Sequence, residues 1–452
     1  MKTPVVPKAS PDTLPELAIY LEPFAPLFRR STSRESLERY ITGLLTDLAH
    51  KNCDTIAAAV AGTSTERLQH LLTDAVWEPQ TLDQQRVRAL VAQSPPDGML
   101  VLDDTGLPKQ GRGSVGVARQ SAGTLGKVAH GQVVVSAHYV ADEPTSRAPV
   151  HWPLTARLYL PEAWATDRAR RAKVRVPPEV TFQTKPELAL ALVDQARAWG
   201  APFATVVTDA GYGDNPTFLK GLDDRQVAYV VGVSSTFGVR LPDEGRATAL
   251  VPPPRPRRRG QPQKPRPAPL YAAKAVLDAL PAERWQTITW REAADTSLRK
   301  QFAAVRVHWA TGGAQLSTSH HRVTTGPEGW LLGERPMPGA RGEVKWYFSN
   351  LPEDTPLHRL VELAHSRWPI EQFYEDAKGE CGLDHYQGRR WDGLHRHLAL
   401  VMLAYSFLAR QRWMPATTAG FPPLWGAPVL PGGPSPGAAV ALPRRGVVAL
   451  RH

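Results

Sequence analysis

Arg367-Trp-Pro-Ile-Glu-Gln-Phe-Tyr-Glu-Asp-Ala-Lys378 is the stretch from which the rest of the chain can be read. Pro369 suits the first turn of a helix, where a missing N–H is no loss. The stretch therefore predicts a helix with Glu371 in its first turn. Glu375 and Lys378 follow about one and two turns later. Glu371 and Lys378 are seven positions apart, which puts them on nearly the same face. A carboxylate and an ammonium then point into one site, the first suited to a metal and the second to a phosphate. Glu375 reads as part of a solvated face.

Upstream, two aspartates end short apolar runs, Met99-Leu-Val-Leu-Asp103 and Phe203-Ala-Thr-Val-Val-Thr-Asp209. Two strand-end aspartates and one helical glutamate make a constellation for two-metal phosphodiester chemistry. Mg²⁺ is hard, takes oxygen ligands, and leaves positions for water and phosphate. Three carboxylates from three separate elements meet that need. Asp103 and Asp104 compete for the first position, and Asp103 is favoured because it leads an Asp-x-Thr turn directly off the strand. Arg367 and Lys378 are read as phosphate-binding. His365, His385, His395 and His397 read as turn or helix-face residues. Gly111-Arg-Gly-Ser-Val-Gly116 lacks the spacing of a P-loop or dinucleotide fingerprint, which argues against a nucleotide fold.

The chain has 452 residues, a length for two or three domains. Its 54 Lys and Arg against 43 Asp and Glu give a formal net charge of +11, which favours nucleic acid as the partner. Cys53 and Cys381 have neither disulfide-framework nor zinc-ligand spacing. The N-terminus lacks the apolar core of a signal peptide, and the longest apolar run, Leu398 to Ala409, is too short for a membrane span. The expected location is cytoplasmic, in association with the nucleoid when DNA is bound.

Residues 1–93 read as a helical domain that binds DNA. Leu37, Tyr40, Ile41, Leu44, Leu45 and Leu48 keep a helical stripe, and Leu68, Leu71, Leu72 and Ala75 repeat it. Residues 94–235 predict the first part of a mixed α/β core: strands at 99–102, 132–141, 154–160, 203–208 and 227–233, with a helix opened by the Thr184/Glu187 capping box and closed by Gly200. Asp209 and Glu371 are 162 positions apart, more than such a core needs, so residues 236–343 are read as a β-rich insertion. It contains a basic, Pro-rich loop, 251–270, that holds eight prolines, six Lys/Arg and no acid. Arg257, Arg258 and Arg259 in that loop are candidate DNA contacts. Residues 344–412 complete the core, and 413–452 form a Pro/Gly-rich tail expected to be poorly ordered.

Leu102-Asp103-Asp-Thr-Gly-Leu-Pro-Lys, Ser114-Val-Gly-Val-Ala-Arg-Gln120, Thr208-Asp209-Ala-Gly-Tyr-Gly and Arg367-Trp-x-Ile-Glu371-x(6)-Lys378 resemble the bacterial insertion-sequence DDE transposases. The resemblance runs from about Leu37 to Leu408. It implies an RNase H-like catalytic core with flanking helices and a β-rich insertion before the glutamate helix. It also implies a mobile-element endonuclease and strand transferase that uses two Mg²⁺ ions, with Mn²⁺ as a substitute. The substrates would be double-stranded transposon ends with terminal inverted repeats, and target DNA, handled by a homodimer. Asp103, Asp209 and Glu371 would be the metal triad, and Arg367 and Lys378 the basic helpers of a Tyr-x-x-Arg-x-x-x-Glu-x(6)-Lys signature. The signature's Tyr falls on Ala364 here. The alternatives are a decayed, transposase-derived DNA-binding protein and a cellular RNase H-like nuclease.

Overall fold

The computed structural model describes residues 14–122, 127–142, 149–242, 269–292, 297–310 and 324–413. Five helices come first: α1 (Pro15–Leu21), α2 (Ser31–Leu45), α3 (Cys53–Ala59), α4 (Thr65–Thr73) and α5 (Pro79–Val91). The stripe read from the sequence is the buried face of α2, where Leu37, Tyr40, Ile41 and Leu44 are at most 2% exposed. Leu48 lies beyond the end of that helix.

Next come β1 (Gly98–Pro108), β2 (Ala118–Ala122), β3 (Lys127–Ala141), β4 (Val150–Tyr159), α6 (Glu162–Ala165), α7 (Arg168–Lys173), α8 (Lys185–Ala198) and β5 (Phe203–Thr208). α9 (Ala210–Gly213), α10 (Pro216–Asp224) and β6 (Ala228–Val233) follow. β1 pairs antiparallel with β3 on one side and parallel with β5 on the other, and β5 pairs parallel with β6. β3 also carries β2 and β4 on its outer side. α8 is the crossover between β4 and β5. Its capping box is formed, with the Thr184 N–H donating to Glu187 Oε2 at 2.7 Å, and it is closed by Gly200 at φ +80°. This is the mixed, RNase H-like sheet that the resemblance implies.

The strands of the insertion extend that sheet. They are β7 (Gly238–Arg240), β8 (Tyr271–Ala272), β9 (Gln286–Glu292), β10 (Ser297–Ala310) and β11 (Thr325–Arg335), with α11 (Ala273–Asp278) among them. β12 (Lys345–Ser349) pairs with both β11 and β6, and so joins insertion strands and core strands into one ladder. The order among the described strands is β2-β3-β1-β5-β6-β12-β11-β10-β7-β8. The chain closes with α12 (Leu357–His365), α13 (Trp368–Gly379) and α14 (Trp391–Trp413). The tail after Trp413 and most of the Pro-rich loop, Arg257, Arg258 and Arg259 included, lie outside the described residues.

α14 packs against α2, α4, α5 and β4. Tyr20 donates from its hydroxyl to the Leu403 carbonyl at 3.0 Å, and the Tyr40 hydroxyl meets His397 Nδ1 at 2.8 Å. Arg86 of α5, 1% exposed, donates to the Pro153 and Leu154 carbonyls of β4, to Ser406 of α14, and to Asp83 at 2.8 Å. The N-terminal helices and the central sheet are therefore held by shared buried polar groups.

Candidate active site

β1 and β5 place the two aspartates. Their parallel ladder pairs Val101 with Val207, and the same offset carried on two residues sets Asp103 beside Asp209. The apolar runs before them are the cause: Leu100, Val101, Leu102 and Val206 are fully buried, which locks the register. Asp103 does not end its strand or open an Asp-x-Thr turn, as the sequence reading expects. β1 continues to Pro108 because β3 remains paired along its other edge. What ends before Asp103 is the parallel ladder to β5 alone.

Asp209 does stand just past the end of β5, as the N-cap of α9, accepting from the Gly211 N–H at 3.0 Å. The motif's second glycine has a packing cause. A Cβ at Gly213 would collide with the Gly232 carbonyl of β6, so α9 lies directly on the sheet only with glycine there.

α13 supplies the third carboxylate, with Pro369 and Glu371 in its first turn. Arg367, at its N-cap, donates to Asp103 Oδ2 at 2.7 Å and pairs through its other terminal nitrogen with Glu371. Lys378, in the last turn, donates to Thr105 Oγ1 at 2.8 Å. Tyr374, between them, bonds Ser136 Oγ at 2.6 Å, and Ser136 is the cross-strand partner of Asp103. The helix is therefore docked on the sheet by three polar contacts centred on Asp103. Thr105, Ser136 and Tyr374 were not singled out from sequence. Alternation along β1 puts Thr105 on the face of Asp103, a period-2 signal that would have found it; Ser136 and Tyr374 carried no local signal.

Asp104 faces the other way. It accepts from Lys185 Nζ, at the start of α8, at 3.1 Å and from the Tyr212 hydroxyl at 3.2 Å. That separates the two competing aspartates: Asp103 shares its face with α13, and Asp104 is neutralised beneath α8.

The charges are tightly coupled. Burial pushes the Asp103 carboxyl up to about 7; Arg367 opposes this, and the nearby Asp209 and Asp104 charges add to it. Burial likewise raises Asp104 against the opposing Lys185. Burial acts to lower Arg367, but the charges of Asp103, Glu371 and Asp209 outweigh it and hold the guanidinium firmly protonated. Burial lowers the Lys378 ammonium, with Asp384 opposing.

Arg367 therefore lies in the field of all three candidate carboxylates and bridges two of them. Among the described residues, no three His, Cys, Asp or Glu side chains stand close enough together to share a metal ion. The Glu371 side chain is 60% exposed and turned to Arg367. The donor type suits a hard divalent cation, since all three candidates are carboxylates; in this arrangement the Arg367 guanidinium stands between Asp103 and Glu371.

The family profile of the DDE superfamily endonucleases matches residues 23–297, over half of the chain. The matched span includes Asp103 and Asp209 and stops before α13. A curated relative, the "Probable transposase for insertion sequence element IS701" of Microchaete diplosiphon, is 28% identical over 240 residues. The aligned part covers 52% of this chain and 58% of that protein. With the mixed sheet and the placement of Asp103 and Asp209 at neighbouring ends of the β1–β5 ladder, the match places the chain plainly: it belongs to the DDE superfamily of endonucleases.

Proposed function

We propose that the protein is an insertion-sequence transposase that cuts duplex DNA at the terminal inverted repeats of its element and joins the ends to target DNA. The reading is carried by one observation: Asp103 of β1 stands beside Asp209, which follows the end of the neighbouring parallel strand β5, and Arg367 links Asp103 to the Glu371 of α13. In this reading Asp103, Asp209 and Glu371 hold divalent cations, Mg²⁺ or Mn²⁺. Such ions activate water and stabilise the charge of the phosphodiester transition state. β1 and β5 hold two of the carboxylates at fixed register, and α13 brings the third. Arg367 and Lys378 bind the phosphates flanking the scissile bond and orient the strand. DNA is the substrate, and two copies acting on paired ends suit the inverted repeats.

The test uses the full chain and a duplex carrying the repeats that bracket its coding region. Wild type is expected to nick or cut that duplex in Mg²⁺ or Mn²⁺. Asp209→Asn should lose about a thousandfold or more in rate, the scale of several kcal/mol at 1.36 kcal/mol per tenfold. Its binding of the same duplex in Ca²⁺ should persist. An Asp209→Asn protein that cuts normally removes the site assignment. A wild type that binds the repeats without cutting them makes the chain a transposase-derived DNA-binding protein, and cutting confined to RNA–DNA hybrids makes it a cellular nuclease.

A further inference from the structure

Beyond Pro108, β1 leads into a loop, 109–114, on which two distant segments converge. Arg170 of α7 donates to the Arg112 carbonyl at 3.1 Å. The Val115 N–H donates to the Arg389 carbonyl at 3.0 Å, and the Arg389 side chain lies over Gly113. The Trp391 N–H donates to the Val174 carbonyl at 2.9 Å, which joins the third segment to the second. Together 109–114, 168–176 and 387–390 carry nine Lys or Arg and no Asp or Glu.

Some of these charges are already used. Lys109 is half-buried and donates to the Asp384 and Tyr386 carbonyls. Arg171 ties down the carbonyls of Ala165, Pro177 and Val180. Arg175 and Arg390 share Asp74 at 3.2 and 3.1 Å. Arg170 stacks on Trp164 with its guanidinium carbon 3.5 Å from the ring centre. What is left is Arg112, Arg168, Lys173 and Arg389. All four are exposed, and no carboxylate among the described residues pairs with their charged ends. The fixed residues form the platform, and the unpaired ones project from it.

We propose that this surface docks the phosphodiester backbone of duplex DNA, outside the candidate active site; the proposal rests on the reading of the chain as an enzyme that cuts DNA. Guanidinium forks match phosphate oxygens, and an unpaired group of them held on a rigid platform keeps its charge for a ligand. An acidic protein partner would use apolar anchors at the centre of the contact. None of the exposed large apolar side chains among the described residues lies in these three segments. Position agrees as well. Pro108 lies five residues beyond Asp103 on the same strand, about 17 Å at a strand's rise.

The experiment measures the salt dependence of binding by the full-length protein to a 40-base-pair duplex of mixed sequence, in Ca²⁺. Each neutralised phosphate contributes about −0.9 to the slope of log K against log salt. The variant Arg112→Ala/Arg168→Ala/Arg389→Ala should have a slope shallower by up to about 2.7. A control that loses three charges elsewhere, Arg197→Ala/Lys220→Ala/Lys274→Ala, should move it far less. Equal slopes for the surface variant and wild type overturn the proposal and leave the functional reading intact. Equal losses in both triple variants overturn it too, since net charge alone would then account for the effect. Polyglutamate competing as well as DNA for wild type assigns the surface to an acidic protein. A wild type that binds no duplex at all removes the functional reading along with the proposal. Arg168→Ala alone, with an unchanged melting temperature and a slope shallower by about 0.9, would show that the triple variant's loss is not misfolding.

Discussion

Lys378 is the residue whose role differs most between its local and its tertiary surroundings. On the helix alone it stands near Glu375 and Asp376, as one end of a surface ion pair worth about 0–1 kcal/mol. In the folded chain it reaches across to Thr105, two positions beyond Asp103, and Asp376 is bonded by Gln372 instead at 2.8 Å. Its ammonium is half-buried on the Asp103 side of β1, where a phosphate would meet it with little water between. Lys378→Ala is expected to raise the DNA concentration for half-maximal cleavage about tenfold, the scale of one charge-assisted contact. The effect on the saturated rate should be smaller, because a phosphate contact made in ground and transition states alike is uniform binding. A steady-state titration checks this. Wild-type values for both parameters would reduce Lys378 to a tether for α13.

At the scale of elements, α12 and the inserted strands are joined by one buried acid. Glu334 of β11 is fully buried, pairs with Lys300 of β10, and lies 3.1 Å from His365 of α12. Trp290 of β9 stacks on the same histidine, with ring centres 4.1 Å apart. Burial alone would raise the Glu334 carboxyl, but His365 and Lys300 outweigh it and bring it from 4.5 to about 2. A folded-state value below the unfolded one means stability that is full above about pH 4.5 and lost as pH falls towards 2. Glu334→Gln should cost about 1–3 kcal/mol at pH 7, the range for a lost charged hydrogen bond with a partner left partly hydrated. Urea unfolding at several pH values measures it. The gap between wild type and variant should close as pH falls from 4.5 towards 2, and a gap independent of pH would show that packing, not charge, sets the cost.

For the molecule as a whole, the decisive element is α14, which enters both the N-terminal helices and the central sheet. Arg86 and Asp83 form a buried pair at this junction, with 1% and 6% of their side chains exposed, and Thr155 of β4 donates to Asp83 at 2.9 Å. Burial raises the Asp83 carboxyl, and Arg86 opposes it. Arg86→Met leaves that carboxylate without its cation and should cost about 3–5 kcal/mol. Arg86→Met/Asp83→Asn should recover most of the loss, because the uncompensated charge is gone. Denaturant melts followed by circular dichroism and by tryptophan fluorescence would measure both variants. The two signals should also coincide in wild type, since the shared helix couples the N-terminal helices to the sheet. Separate transitions would mean that the two regions unfold independently.

The elements were legible wherever a local signal was sufficient to form them. The Thr184/Glu187 box and Gly200 bound α8, Pro369 opens α13, and the apolar runs before Asp103 and Asp209 are β1 and β5. The candidate residues Asp103, Asp209, Glu371, Arg367 and Lys378 could be named for the same reason, since carboxylate and cation types at strand and helix positions are a local pattern. The continuation of β1 past Asp103 could not be read, because the partner that sustains it, β3, is distant in sequence. Nor could the joining of the inserted strands to the core through β12, which depends on which free sheet edge they meet. Arg367's choice of Asp103 and Glu371, Lys378's of Thr105 and Tyr374's of Ser136 were likewise decided by tertiary structure. A long side chain can reach several partners, and only the docking of α13 on the sheet selects among them. The sequence by itself determined which residues could do chemistry and the local elements that carry them; the packing of distant segments decided how they face one another.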